Sequence, residues 1–137
     1  MSEIKNFDNL FRLDGKIALV TGGSRGIGLH TATGFLKAGA STVIICGRRQ
    51  KDIDEAVKAL NAAAGITGKA VGIPANCAQK DDIEKLAAWV KEKYGKLDIL
   101  VANAGASWGS RFEDAPDEAS QKILDLNVRG VFLLAQK

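Results

Sequence analysis

Three glycines in the stretch TGGSRGIG, residues 21–28, form a pattern that could bind phosphate. Gly22, Gly26 and Gly28 follow a GxxxGxG spacing directly after the apolar run KIALV. Because glycine has no Cβ, its backbone N–H can approach an anion closely. Where such a turn opens a helix, free N–H groups and the positive end of the helix dipole also attract an anion. The pattern predicts a pyrophosphate site; the alternative is a loop that only requires positive φ.

Positive side chains near this turn bear on which dinucleotide the site would take. The stretch CGRRQ, residues 46–50, ends a second apolar run with Arg48 and contains no acidic residue. An acidic residue at this point typically binds the ribose 2′-OH of NAD, whereas an arginine pairs with the 2′-phosphate of NADP. Arg25 adds a second positive charge and Ser24 a hydroxyl group. These residues favour NADP as cofactor; the alternative is that Arg48 and its neighbour belong to an ordinary solvated turn.

Alternating strand and helix patterns must position these residues. Short runs of β-branched and apolar residues predict strands at 16–21, 41–47, 69–75 and 96–104. Apolar residues at helical spacing predict helices at 26–39, 51–65 and 81–95, and a last helix from Pro116 to the end. Strands that are apolar on both faces and alternate with amphipathic helices indicate a parallel sheet covered on both sides. We therefore predict an α/β fold, a doubly wound, Rossmann-like parallel sheet of four strands with flanking helices, in a single domain spanning residues 1–137.

The composition argues against several other functions. With 46% hydrophobic residues, 26% charged residues and a net charge of +3, the 137 residues suit one soluble domain. Basic residues are scattered and aromatic residues make up 6%, so we expect no nucleic-acid partner. Neither a signal-peptide pattern nor a long apolar run is visible, so we expect no membrane contact and a cytoplasmic location. We expect no metal site, and interpret Cys46 and Cys77 as small apolar residues that stay reduced.

Three motifs together resemble the short-chain dehydrogenase/reductase family. The turn TGGSRGIG is similar to the family's glycine motif, LDILVANAG (97–105) to its NAG motif, and LDLNVRGVF (124–132) to its mid-helix asparagine motif. Their order and intervals also match, over nearly the whole chain. Within the family, NAGASWG (103–109) resembles the 3-oxoacyl (β-ketoacyl) reductases. The resemblance implies an NADP-dependent oxidoreductase that transfers a hydride between NADPH and a small-molecule carbonyl or alcohol substrate, with 3-oxoacyl compounds as one candidate.

The resemblance also implies roles for individual residues. Besides the three glycines, the implied cofactor-binding residues are Ile27 through its backbone, Asn76 at the adenine amino group, and Asn103, Ala104 and Gly105 along the ribose. Asn76 stands where the family usually has an aspartate, and Ala102 where many members have a first asparagine. Asn127 would be the catalytic-tetrad asparagine, which holds a water in the proton relay; the alternative is a surface asparagine of poor helix propensity.

The family's catalytic serine, tyrosine and lysine lie beyond the mid-helix asparagine, and this sequence ends shortly after Asn127. Its one tyrosine, Tyr94, is followed by GKLD and does not form a YxxxK motif. Two hypotheses remain. The chain is the cofactor-binding part of an oxidoreductase whose C-terminal part is missing, or it is a non-catalytic nucleotide-binding module. The resemblance further implies a homo-oligomer for the full-length protein, because the helix that holds the asparagine tends to pack against another subunit.

Overall fold

A parallel four-stranded sheet forms the centre of the molecule. The computed structural model describes residues 9–63 and 65–137. The strands are β1 (Ile17–Thr21), β2 (Thr42–Gly47), β3 (Lys69–Pro74) and β4 (Ile99–Val101), in the spatial order β3-β2-β1-β4. The helices are α1 (Gly26–Lys37), α2 (Gln50–Asn61), α3 (Lys80–Tyr94), α4 (Asp117–Leu124) and α5 (Gly130–Gln136), and a π-helical segment (Asp125–Arg129) joins the last two. All neighbouring strands are parallel, which confirms the predicted α/β fold.

Two apolar layers hold the helices against opposite faces of this sheet. On one face, Leu36 of α1 and Ile53 of α2 pack with Val43 of β2. On the other face, Leu86 of α3 packs with Ile44 of the same strand. All of β2 except its last residue is buried, as expected for a central strand that is apolar on both faces. Because burial of each such side chain contributes roughly 1.5–3 kcal/mol, the two layers fix the strand ends that form the site.

The fourth strand is shorter than the sequence predicts. β4 covers three residues instead of the predicted 96–104. Before it, the carboxylate of Asp98 accepts the backbone N–H of Ile17 at 2.9 Å, so a side chain replaces the next bond of the ladder. After it, the N–H of Asn103 donates to the carbonyl of Val101 at 2.9 Å, which turns the chain out of the sheet. The predicted bounds of this strand are therefore wrong.

The other elements follow the prediction except at their ends. The α2 helix ends at Asn61 rather than at 65, because the Asn61 amide bonds both backbone groups of Ala70, at 3.0 and 2.8 Å, and ties the helix end to β3. The last helix begins one residue after Pro116 and contains the π-helical segment, which the sequence did not predict. Among the described residues, none of the helices has the length and apolar character needed to cross a membrane.

Candidate cofactor-binding site

A cleft of about 1150 Å³ lies beyond the carboxyl ends of the strands. Its walls are the glycine turn after β1, the end of β2, and the loops that follow β3 and β4. Open α/β sheets bind ligands at this edge. The cleft is lined by every residue predicted to bind the cofactor: Gly22, Ser24, Arg25, Gly26, Ile27, Gly28, Arg48, Asn76, Asn103, Ala104 and Gly105. The fold thus brings the candidates together, and their binding roles remain predictions.

The shape of the glycine turn requires a glycine at all three motif positions. Gly22 and Gly26 have φ values of 65° and 53°, a region that other residues adopt at a cost. Gly28 is required for a different reason, because a Cβ there would lie 2.3 Å from the carbonyl oxygen of Gly22. The N–H of Gly22 donates to the carbonyl of Cys46 at 2.9 Å, which fastens the turn to the end of β2. Positive φ, the alternative explanation of the pattern, accounts for Gly22 and Gly26. Close packing accounts for Gly28.

The start of α1 supplies the groups that could hold an anion. Arg25 is the N-cap residue, and its side chain makes no capping hydrogen bond within the described part of the chain. The first turn also contains no acidic residue. The first backbone N–H groups of a helix have no intrahelical partner, and Gly26, Ile27 and Gly28 line the cleft. A phosphate in the cleft would therefore meet free donors and the positive end of the helix dipole.

Two arginines follow one another at the end of β2, and only Arg49 has an acidic partner among the described residues. Arg49 donates through Nε to the carboxylate of Asp52 at 2.8 Å, and this pair balances the acidic group that lines the cleft there. Arg48 and Arg25 are exposed, and neither forms an ion pair with an acidic residue among residues 9–63 and 65–137. The end of β2 therefore presents a net positive charge to the cleft.

The loop after β3 holds Asn76 in one orientation. Its backbone N–H donates to the carboxylate of Asp82 at 2.9 Å, and its side-chain oxygen accepts the N–H of Ala78 at 3.2 Å. The second bond fixes the amide, because a flipped amide would place its NH₂ group against that N–H. The NH₂ group of Asn76 and the second lone pair of its side-chain oxygen are thus left for a ligand. Sequence reasoning missed Asp82, although an acidic residue in the first turn of a helix is a visible signal.

Thr21 and Asn103 join the glycine turn to the loop after β4. Thr21 is fully buried, and its hydroxyl accepts the N–H of Ala104 at 3.0 Å. The amide of Asn103 donates to the carbonyl of Thr21 at 2.9 Å, so its nitrogen is occupied by the turn itself. Sequence reasoning missed Thr21; the signal was a hydroxyl residue at the end of an otherwise apolar strand.

Asn127 lies in the π-helical segment and fastens the far end of the same loop. Its side-chain oxygen accepts the N–H of Ala106 at 3.0 Å, and its NH₂ group donates to the carbonyl of Ala106 at 2.8 Å. Gly105 permits this approach, because a Cβ there would lie 3.3 Å from the Asn127 oxygen. Asn127 is exposed but is not a free surface side chain, since its amide bonds both backbone groups of Ala106.

Tyr94 lies outside the cleft. Its ring packs edge-on against Trp89, with the centroids 5.8 Å apart, and burial raises the pKa of its hydroxyl. That hydroxyl is buried and has no hydrogen-bond partner within the described residues. In the same part of the chain, no cluster of His, Cys, Asp and Glu has the arrangement of a metal site.

A glycine turn that begins the first helix after a parallel strand, beside a cleft at the carboxyl edge of the sheet, is typical of dinucleotide-binding α/β domains. The family model "short chain dehydrogenase" matches residues 16–137, and the chain belongs to that family. Both the predicted fold and the predicted family are confirmed.

Several proteins of known or assigned activity are similar to this chain. A rhamnolipids biosynthesis 3-oxoacyl-[acyl-carrier-protein] reductase of Pseudomonas aeruginosa is 42% identical over 127 residues, which cover 93% of this chain and 48% of that protein. An NAD-dependent glycerol dehydrogenase of Listeria innocua is 38% identical over 133 residues, 96% of this chain and 49% of that protein. The NADP active-site complex of Pseudomonas aeruginosa RhlG superposes with a TM-score of 0.85 at 43% identity, covering 92% of this chain and 47% of that chain. The chain thus spans about half the length of the relatives it matches.

Proposed function

We propose that this chain is the cofactor-binding part of an NADP-dependent oxidoreductase, which transfers a hydride between NADPH and a small-molecule carbonyl or alcohol. The observation that carries the choice of cofactor is the exposed Arg48 at the end of β2, which has no ion-pair partner among residues 9–63 and 65–137 and lies beside the glycine turn, with no acidic residue at 46–48. The relatives include an NAD-dependent enzyme and an NADP complex, so family membership alone does not decide between the two cofactors. The local charge decides it, because an arginine pairs with a 2′-phosphate.

The residues of the cleft fit the cofactor along its length. The pyrophosphate would rest on the N–H groups at the start of α1. The 2′-phosphate would lie between Arg48 and Arg25, near the hydroxyl of Ser24. β3 lies next to β2 on the side away from β1, and Asn76 lies in the loop after β3. The adenine base would therefore extend toward Asn76. The nicotinamide half would then run the other way, along Asn103 and the loop after β4.

The bound cofactor would supply the hydride, and this chain's residues shape the place where the carbonyl would meet it. The loop that contains Ala104 and Gly105 is fixed at one end by Thr21 and at the other by Asn127. Asn127 is the proposed catalytic residue, and its amide is engaged by Ala106. A water of the proton relay would therefore use the second lone pair of its side-chain oxygen or its backbone carbonyl.

The proton donor of the reaction is not Tyr94, which lies outside the cleft. The relatives are about twice as long as this chain. We infer that a serine and a Tyr-x-x-x-Lys motif, which the family uses to polarise and protonate the carbonyl, stand in the region of the longer protein that follows Asn127. Similarity to a 3-oxoacyl reductase supports a 3-oxoacyl compound as the substrate.

We also propose that the full-length protein is a cytoplasmic homo-oligomer. Leu124, Val128 and Phe132 repeat every fourth residue along the last helical stretch, and they are 53%, 59% and 68% exposed. Such a stripe of large apolar side chains is unfavourable in water and typical of an interface. Size-exclusion chromatography with light scattering of the full-length protein tests the proposed oligomer. We expect a dimer or a larger assembly, and a monomer would contradict the proposal.

The main test measures NADPH oxidation with a short β-ketoacyl ester, on the 137-residue chain and on the full-length protein. We expect turnover by the longer protein only, because general-acid catalysis typically contributes ~10²–10⁴-fold. Binding of NADPH to the full-length protein is measured in parallel by fluorescence. Failure to bind NADPH, or robust turnover by the 137-residue chain, would contradict the proposal.

A further inference from the structure

Two thiols meet at the floor of the cleft. Cys46 lies near the end of β2 and Cys77 directly follows Asn76. Their Sγ atoms are 3.9 Å apart, and both cysteines are free. Cys46 is fully buried, whereas Cys77 is 5% exposed and lines the cleft. A small oxidant that enters the cleft would therefore reach the Cys77 thiol first.

The surroundings make the two thiols unequal. The hydrogen bond to Cys77 and burial raise the pKa of the Cys46 thiol. The contact with Cys46 has the largest effect on the Cys77 thiol and lowers its pKa; burial and the charge of Asp82 act in the opposite direction, and the hydroxyl of Thr21 lowers it further. Because the thiolate is the reactive form of cysteine, Cys77 is the nucleophile of the pair and Cys46 its neighbouring thiol.

The backbones of both cysteines are part of the walls of the cleft. The carbonyl of Cys46 accepts the N–H groups of Gly22 at 2.9 Å and Gly23 at 3.3 Å. The carbonyl of Cys77 packs against α5 so closely that a Cβ on Gly130 would lie 2.2 Å from it. A disulfide holds its sulfur atoms about 2 Å apart, so the two must approach by roughly 2 Å. With both backbones held, any part of that approach that rotation about the Cα–Cβ bonds does not supply must shift the glycine turn at the end of β2, or the loop that carries Asn76, or both.

We propose that Cys46 and Cys77 form an oxidisable thiol pair, a modification site whose disulfide distorts the cleft and weakens nucleotide binding. The part of this inference that concerns nucleotide binding rests on the proposed function. With a hydroperoxide as the oxidant, the Cys77 thiolate attacks an oxygen of the O–O bond, an S–O bond forms as the O–O bond breaks, and Cys77 becomes a sulfenic acid. The leaving oxygen takes a proton from the solvent and departs in an alcohol, or in water when the oxidant is hydrogen peroxide. The sulfur of Cys46 then attacks the sulfenic sulfur, the S–S bond forms, and the hydroxyl leaves as water with the thiol proton. A dithiol reduces the bond again by exchange.

The test treats the reduced full-length protein with hydrogen peroxide and maps its disulfides by mass spectrometry of peptides. NADPH affinity is measured by fluorescence before treatment, after it, and after dithiothreitol. We expect a peptide pair that links Cys46 to Cys77, an affinity at least tenfold weaker, and full recovery on reduction. At equilibrium in a thiol–disulfide buffer, saturating NADPH should lower the linked fraction, because binding and oxidation that disfavour each other do so reciprocally.

Matched variants separate the link from general oxidation. Cys46→Ala and Cys77→Ala each remove one thiol, and either should make NADPH affinity insensitive to peroxide; circular dichroism verifies folding. The reversible measurement on the unmodified protein stands even if a variant fails to fold. Absence of the linked peptide under conditions that fully oxidise glutathione would overturn the proposal, as would a link that leaves NADPH affinity within twofold. If the reduced protein binds no NADPH, the proposed function and the part of this inference that concerns nucleotide binding both fail, whereas the peptide map reports on the thiol pair alone.

Discussion

Replacement of Arg48 by alanine tests the proposed preference for NADPH. The side chain is exposed, lines the cleft and has no acidic partner among the described residues, so its charge is available to a 2′-phosphate. NADH has a hydroxyl group at this position of the ribose. Arg48→Ala should therefore weaken NADPH binding while leaving NADH binding nearly unchanged.

The expected size of the effect follows from the exposure of Arg48. Two unit charges 4 Å apart interact by about 1 kcal/mol in water and about 4 kcal/mol near a protein surface. Because the arginine is exposed and screened by salt, we take about 2 kcal/mol. At 1.36 kcal/mol per tenfold change, this corresponds to roughly a thirtyfold loss of NADPH affinity relative to NADH. The loss should shrink as salt is raised.

Lys51→Ala provides the matched control, because it removes the same charge three residues further along the chain. The Lys51 side chain is 86% exposed, lies 3.9 Å from Glu55 on α2 and does not line the cleft. The assay is fluorescence or calorimetric titration of the full-length protein with NADPH and with NADH, at low and at high salt. The reasoning is refuted if Arg48→Ala changes the ratio of the two affinities by less than about threefold, or if Lys51→Ala changes it equally.

Three further predictions concern the turn, the base and the first strand. Gly28→Ala should lower the midpoint of urea unfolding and weaken NADPH binding because its Cβ would clash with the Gly22 carbonyl, whereas Gly34→Ala, in open space on the same helix, should raise the midpoint; equal effects would contradict this. Asn76→Asp should favour NADPH over its hypoxanthine analogue, because a carboxylate accepts a stronger hydrogen bond from the adenine amino group than an amide oxygen that already accepts the Ala78 N–H; an unchanged ratio of affinities would contradict it. The pKa of Asp98 is lowered by a backbone N–H and a lysine, so its contribution to stability is present above about pH 3.9, the ordinary value, and is lost as pH falls through the folded value. Asp98→Asn should thus lower the urea midpoint more at pH 7 than at pH 3, and an equal difference at both pH values would contradict the assignment.

The fold was predictable because its strands and helices carry clear periodic patterns. β2 is apolar in consecutive positions and proves to be the central buried strand, and the glycine motif lies where β1 ends and α1 begins. The bounds of β4 were not predictable, because they depend on a bond between the Asp98 side chain and Ile17. That contact joins residues far apart in the chain, and local patterns do not contain it.

The candidate site was predictable as a set of residues but not as a set of bonds. The motifs identified Asn103 and Asn127 as residues near the cofactor, and the structure shows that their amides bond to neighbouring backbone groups. Thr21 was missed because it ends a strand and its partners lie in the loop after β4. The proximity of Cys46 to Cys77 was likewise hidden, since their spacing matches no thiol motif and only the adjacency of β2 and β3 brings them together.

These bonds leave the phosphates of a cofactor to other groups. Thr21, Asn103 and Asn127 hold loops, whereas the start of α1 and the two arginines line the cleft. Under the proposed function, the backbone donors would recognise the pyrophosphate that both cofactors share, and so they would give affinity without choosing between NAD and NADP. The choice would then depend on Arg48 and Arg25, which are exposed and can be exchanged without disturbing the core. A substitution in the holding residues should alter the binding of both cofactors together, whereas one in the arginines should alter their ratio.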